Sequence, residues 1–150
     1  FNQCISSGLP VEKIGVGVDS FWSPADSDLS REILELPLSV PVILTVADNQ
    51  ERKGLPIGIE AVSQLPFEFV YVIVSSIGGW DLYDLAKRYG ILKQVRIENS
   101  EKFDHRYIRE YYRAADLLLN TSLAEGIGLP LYEAQSCGCP VVAARYTSIE

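Results

Sequence analysis

Six short runs of apolar, β-rich residues punctuate the chain: Lys13–Val18, Val40–Ala47, Phe69–Ser75, Gln94–Glu98, Asp116–Asn120 and Pro140–Ala144. Their interiors are nearly continuous, as in Val-Ile-Leu-Thr-Val and Val-Tyr-Val-Ile-Val, with little alternation. Strands buried on both faces have this pattern, as in a parallel sheet. The segments between the runs carry helical spacing. Leu55, Ile59 and Val62 fall at i, i+4 and i+7, with Pro56 tolerable in a first turn. Trp80 to Tyr89 sets Leu82, Leu85, Ala86 and Tyr89 on one stripe, and His105 to Ala115 does the same with Ile108, Tyr111, Tyr112 and Ala115. Pro130 to Cys137 opens on a proline and stops at Gly138, the expected asymmetry of a helix. Segment 19–39, with Ser-Pro-Ala-Asp-Ser-Asp in it, is expected to be a loop and one short helix.

Strand-helix alternation of this kind predicts an open α/β fold: a doubly wound parallel sheet of about six strands, joined by right-handed crossovers, with helices on both faces. At 150 residues the chain suits one domain with a sizeable core. The lack of any methionine, and an end only a few residues past the sixth run, lead us to expect a piece of a longer protein, with a closing helix missing.

Charge narrows the partners. The net charge is −7 and the pI near 4.7, which argues against a nucleic-acid partner. No apolar run approaches the roughly 18–20 residues of a membrane span, and no signal peptide is legible. Cys4, Cys137 and Cys139 are an odd number, Cys137 and Cys139 being too close for a comfortable disulfide. All three are expected to be reduced, in a cytoplasmic protein. His105 is the sole histidine, so a multi-histidine metal site is excluded.

In open α/β sheets, ligands bind beyond the carboxyl ends of the strands, so the segments there carry the candidate chemistry. Two stand out. The first is Asp48-Asn49-Gln50-Glu51-Arg52-Lys53-Gly54, which leads into a helix. Lys53-Gly54 at a helix start offers a cation, a permissive backbone and unpaired amides, a combination that attracts phosphate; an ordinary solvated loop is the plainer reading. The second runs from Glu125 to Ala134. Gly126 and Gly128 allow a ligand close to the backbone, and the helix from Pro130 aims its free N–H groups at the same place. Glu125 before the turn and Glu133, expected in the helix's first turn, are acceptors suited to sugar hydroxyls. Together the two features suggest a ligand carrying hydroxyls and phosphate, as a sugar nucleotide does. The plainer reading is a solvated Glu125 and a Glu133 that only complements the helix dipole. His105 is read as a surface or capping residue, Trp80 as a packing or surface residue with a base-pocket wall as the alternative, and Tyr107, Tyr111 and Tyr112 as core and helix surface.

The stretch Glu125 to Glu133, continued to Ala143, resembles the E-x7-E signature of the retaining family 4 (group 1) glycosyltransferases, E-G-F-G-L-P-x-x-E-A-x-A-x-G-x-P-V-V. Tyr111 to Asp116 resembles the family's Y-x-x-A-D helix end, Thr121-Ser122 its pre-motif serine, Lys53-Gly54 its phosphate-binding K-G, and Gly15 to Asp19 with Pro24 its entry segment. These correspondences run in order over nearly the whole chain. The resemblance implies the nucleotide-sugar half of a two-domain, Rossmann-like enzyme, the carboxyl-terminal donor domain. An acceptor domain would precede it and supply contacts to a sugar, lipid or glycan acceptor; peripheral association of the full protein with the cytosolic membrane face is compatible with this plan.

It also implies roles: Glu133 on the nucleotide ribose, Glu125 on donor-sugar hydroxyls, the amides of Gly126, Ile127, Gly128 and Leu129 on sugar and diphosphate, and Lys53, with Gly54, on the diphosphate leaving group. No metal or other cofactor is expected, since the lysine takes the work that other glycosyltransferases give to a divalent ion. The expected reaction is transfer with retention, which the isolated chain would not perform. One departure stands out: where the family carries an arginine five residues before the lysine, this chain has Asp48, with Arg52 as the candidate substitute. A sugar-nucleotide epimerase or phosphorylase on the same plan, and a non-catalytic nucleotide-sugar-binding module, are the alternatives.

Overall fold

The computed structural model describes residues 17–102 and 104–145. In chain order the elements are α1 (Ser27–Ile33), β1 (Val42–Val46), α2 (Leu55–Ser63), β2 (Val70–Ser75), α3 (Leu82–Arg88), β3 (Val95–Asn99), α4 (His105–Ala114), β4 (Leu117–Asn120), α5 (Leu129–Ser136) and β5 (Val141–Ala143). Single 3-10 turns occupy Glu51–Lys53 and Ser100–Lys102. The strands form one parallel sheet in the order β3-β2-β1-β4-β5. Five of the six expected strands are therefore present. The remaining run, Lys13–Val18, lies mostly outside the described residues, and its last two, Gly17 and Val18, are irregular.

The near-continuous apolar runs are explained by burial from both sides. Val42, Leu44, Val72, Val74 and Leu118 point into one cluster, with Tyr111, Tyr112, Leu131, Ala134 and Trp22. Ile43, Tyr71 and Ile73 point into the other, with Leu55, Ile59, Val62, Leu82 and Ala86. Successive strand residues thus enter opposite cores, as the two-residue period of a strand requires. Helices α1, α4 and α5 cover one face, α2 and α3 the other, which is the doubly wound arrangement. Each fully buried Leu or Ile removes apolar area worth about 1.5–3 kcal/mol from water.

Helix α1, in the irregular segment, is anchored by a buried arginine. Arg31 is 6% exposed and donates from Nε to the Ala114 carbonyl (2.9 Å) and from Nη2 to Asp116 Oδ2 (2.7 Å). The same Asp116 oxygen accepts the Val42 amide at 2.7 Å, so one carboxylate joins α1, the end of α4 and the start of β1.

The strand order reverses direction between β1 and β4. Chain progress runs outward through β2 and β3 on one side and through β5 on the other, which makes the β1/β4 boundary the topological switch point. The ladder there is short, pairing only Ile43 with Leu117 and Leu44 with Leu118. Beyond it the joint passes to side chains: Thr45 Oγ1 donates to the Leu119 carbonyl (2.7 Å) and accepts from the buried Tyr71 hydroxyl (2.8 Å). Burial pushes the Tyr71 phenol up to about 12, so it stays a donor.

Past the strand ends, the β1–α2 and β4–α5 loops touch. Thr121 Oγ1 donates to the Gly54 carbonyl at 2.8 Å, and the Leu123 amide donates to the Arg52 carbonyl at 2.7 Å. Gly54 sits in left-handed backbone with φ 63°, and a Cβ there would fall 2.2 Å from the Thr121 carbonyl oxygen. Gly90, at φ 76°, has nothing within 4 Å of the same point. Gly90→Ala therefore meets only the left-handed strain, about 1–2 kcal/mol. Gly54→Ala adds a backbone collision and is expected to cost at least about 3 kcal/mol in urea denaturation. Equal losses would show that the loop contact is soft.

Candidate functional site at the switch point

Local chemistry separates the helices into two kinds. Helices α1, α3 and α4 are capped by aspartates: Asp26 accepts from the Asp28 amide, Asp81 from Asp84, and Asp104 from Arg106 and Tyr107. Helices α2 and α5 instead begin at left-handed glycines, Gly54 and Gly128, and neither receives a side-chain cap. In their first turns Pro56 and Pro130 carry no amide hydrogen, and the Ile57 and Leu131 amides donate to the Gly54 and Gly128 carbonyls (both 2.9 Å). This leaves, at the positive ends of the two helix dipoles, the amide of Leu55, a fully buried residue, and that of the exposed Leu129. These two helices are the ones that follow the loops flanking the switch point. Gly128, at φ 74°, is needed for its conformation, whereas Gly126 is exposed, lacks positive φ and leaves open space. Ile127 and Leu129 are both exposed beside it.

Two corrections to the expected elements bear on this site. Helix α5 starts at Leu129, with Pro130 second, so Glu133 is its fifth residue and lies just past the first turn instead of within it. Helix α3 starts at Leu82, two residues after Trp80, because Asp81 caps it.

The cations of the first loop and the first glutamate of the second meet across the crevice. Lys53 Nζ lies 2.5 Å from Glu125 Oε1, with the two side chains only 11% and 8% exposed. Arg52 Nη1 lies 3.4 Å from Glu125 Oε2 and 3.4 Å from the Ala124 carbonyl, its side chain about half exposed. Ser122 Oγ donates to Glu125 Oε1 at 2.8 Å, so the carboxylate is held on three sides. Burial alone pushes the Glu125 carboxyl up. The Lys53 ammonium, the Ser122 hydroxyl and the Arg52 charge outweigh it and hold the group below its ordinary value. Arg52 thus stands beside Lys53 as a second cation, while Asp48 is exposed.

Glu133 faces different partners. The Tyr112 hydroxyl donates to its Oε2 at 2.9 Å. It borders a cavity of about 450 Å³ with Phe21, Trp22, His105, Arg106 and Asp19. Burial raises its carboxyl, only partly offset by the Tyr112 hydrogen bond and the His105 charge. His105 is exposed at the start of α4, edge-on to the Trp22 ring at 6.0 Å, while Asp104 supplies the cap. A second crevice, of about 280 Å³, lies beyond β2 and β3 and is lined by Asn49, Ser76, Trp80, Tyr83 and Asn99. Asn49 and Trp80 exchange hydrogen bonds there, Nδ2 to the Trp80 carbonyl (2.8 Å) and the Trp80 amide to Oδ1 (3.0 Å). Asn49 was invisible as a site residue in the sequence because nothing near it marks a side chain that bridges two loops. The expected packing residues hold: Tyr111, Tyr112, Cys137 and Cys139 are buried, and both of these cysteines are free. Cys4 lies outside the described residues. Among the described residues no three His, Cys, Asp or Glu side chains cluster as metal ligands, and no helix is long and apolar enough to cross a membrane.

Fold and crevice together define an open, doubly wound α/β domain in which Lys53 and Arg52 meet Glu125 at the switch point. Residues 26–150 match the family described as Glycosyl transferases group 1. A D-inositol 3-phosphate glycosyltransferase of Xylanimonas cellulosilytica is 35% identical over 140 residues, covering 87% of this chain and 33% of that protein. The C-terminal domain of a glycosyl transferase group 1 family protein (LpcC) from Francisella tularensis is 26% identical with TM-score 0.71, over 85% of this chain and 70% of that one. Anabaena Alr3699/HepE, solved in complex with UDP and glucose, is 29% identical with TM-score 0.75, over 88% and 37%. The chain belongs to the glycosyl transferases group 1 family, and it spans about a third of the length of the curated relatives it matches.

The two glutamates should act on stability with opposite signs. Glu125, lowered in the fold, contributes stability that is present above the ordinary carboxylate pKa of about 4.3 and is lost as pH falls through its depressed value. Glu133, raised in the fold, carries a cost that appears as pH rises through its elevated value. At pH 7, Glu125→Gln should lower the melting temperature and Glu133→Gln should raise it, with both differences shrinking toward pH 3. Shifts of the same sign would contradict the two environments.

Proposed function

We propose that the chain is the donor-binding half of a retaining glycosyltransferase, taking a nucleoside-diphosphate sugar into the switch-point crevice. One observation carries the reading: two uncapped helix N-termini and the Lys53–Arg52 pair converge on one stitched pair of loops, beside glutamates suited to hydroxyls. A diphosphate meets the positive ends of both helix dipoles, the exposed Leu129 amide and both cations at once. Charge building on the leaving oxygen during transfer is then met by Lys53, with Gly126 to Leu129 lending backbone donors. No metal is invoked, because these cations and amides serve the leaving group. Glu125 accepts donor-sugar hydroxyls, and Glu133, beside the cavity of Phe21, Trp22 and His105, holds the ribose end. The crystallised UDP and glucose of the Anabaena relative make UDP-glucose the first donor to try.

Arg52 answers the departure at Asp48. Its guanidinium reaches the same carboxylate as Lys53, so the second phosphate cation comes from the 3-10 turn instead of the strand end. The acceptor, be it sugar, lipid or glycan, is bound by a partner domain, so the chain by itself binds the donor without turning it over.

Calorimetry with UDP and uridine tests these roles. Losing a charge-assisted phosphate contact weakens binding by about 10- to 150-fold. Lys53→Ala should do so for UDP and spare uridine, whereas Glu133→Gln should weaken both. Equal weakening by Lys53→Ala would place the lysine outside the phosphate site. Sugar transfer by this chain alone, at a rate comparable with that of a longer protein containing it, would refute the division of labour.

A further inference from the structure

Glu125 occupies both cations assigned to the phosphates. Its Oε1 lies 2.5 Å from Lys53 Nζ, its Oε2 3.4 Å from Arg52 Nη1, and Ser122 Oγ fixes Oε1 at 2.8 Å. The lysine and carboxylate side chains are mostly shielded from water, so both are poorly screened, and leaving either alone without a replacement charge is costly. A diphosphate entering beside Lys53 would bring negative charge against a buried carboxylate already there. An ammonium has donors for two acceptors, yet two anions packed around it repel each other where water screens them poorly.

We propose that Glu125 is an electrostatic latch on the phosphate cations: it holds Lys53 and Arg52 in the empty crevice and is exchanged for the diphosphate when a ligand enters. This rests on the diphosphate reading above and adds a consequence. A bare diphosphate must compete with an anion built into the protein. A complete donor does so on better terms, because its sugar hydroxyls give the displaced carboxylate new partners. Once the sugar has left, those partners are gone and the carboxylate returns to Lys53, which drives the nucleoside diphosphate out. The latch thereby favours donor over spent product, using one side chain for both tasks.

The test uses inorganic pyrophosphate and UDP as probes, by calorimetry at two salt concentrations. Glu125→Gln should bind pyrophosphate about tenfold or more tightly than the parent protein, since the glutamine no longer neutralises the cations. Its affinity should also fall more steeply with salt, because more charge is free to be screened. Adding Lys53→Ala to Glu125→Gln should abolish the gain. Ser122→Ala keeps every charge but removes the hydroxyl that holds the carboxylate, so it should tighten pyrophosphate by a smaller factor and serves if Glu125→Gln does not fold. Unchanged or weaker binding by folded Glu125→Gln, with Lys53→Ala still weakening UDP, would overturn the latch and leave the diphosphate site standing. Should UDP and pyrophosphate bind no variant, and not the parent, the diphosphate reading falls and the latch with it.

Discussion

The contact between Gly54 and the Thr121 carbonyl is the constraint on which the rest of the crevice depends. Beyond Leu44 and Leu118 the paired backbones of β1 and β4 give way to one side-chain link, Thr45 to Leu119. The next tie is Thr121 to Gly54. Because the approach leaves no room for a Cβ, the two loops are held at a fixed separation, not merely near each other. Lys53 precedes that glycine and Glu125 follows Thr121 by four residues, so the 2.5 Å ion pair across the crevice follows from the backbone contact. Preorganisation of this sort is what an anion site needs, since loops that had to be gathered on binding would lose affinity to ordering.

Much of this arrangement was legible in the sequence because it is written in local patterns. Runs such as Val-Tyr-Val-Ile-Val can only be strands covered on two faces, and the alternation of Val72 and Ile73 between opposite cores follows from that. Pro130 and Gly138 bracket one helix, and Lys53-Gly54 marks the start of another. The switch point follows from strand order, which no local pattern encodes. Long-range pairings were the illegible part. Nothing in Asp116 says that it will accept from Arg31, some 85 residues earlier. Glu125 and Lys53 each looked like a ligand-binding group, and their spacing of 72 residues concealed that they bind each other. Glu133, just past the first turn of its helix, turns toward Tyr112 and away from the partners of Glu125.

The two glutamates therefore stand in contrasting environments although they bracket a single turn. Glu125 is surrounded by donors and stays ionised; Glu133 has one phenolic donor and is half-buried without a full counter-charge. A carboxylate rich in partners is well suited to being traded against another anion. One that is under-satisfied is suited to gaining a hydroxyl donor, since the incoming group relieves a desolvation already incurred on folding. On the proposed reading one ligand engages both, Glu125 from the β4–α5 loop and Glu133 from within α5.

The glycine caps of α2 and α5 carry a last consequence. Three helices are finished by their own aspartates, and these two receive no side-chain cap from the described residues. A glycine in place of a capping side chain gives up only about a few tenths of a kcal/mol per helix, which on the proposed reading a bound diphosphate supplies. The durability of the protein is then set in part by its surroundings: where donor is plentiful the fold is complete and persists, and where donor runs out the same chain opens more often and meets proteases sooner. Supply of substrate would in this way regulate how much of the protein endures, without any dedicated regulatory site.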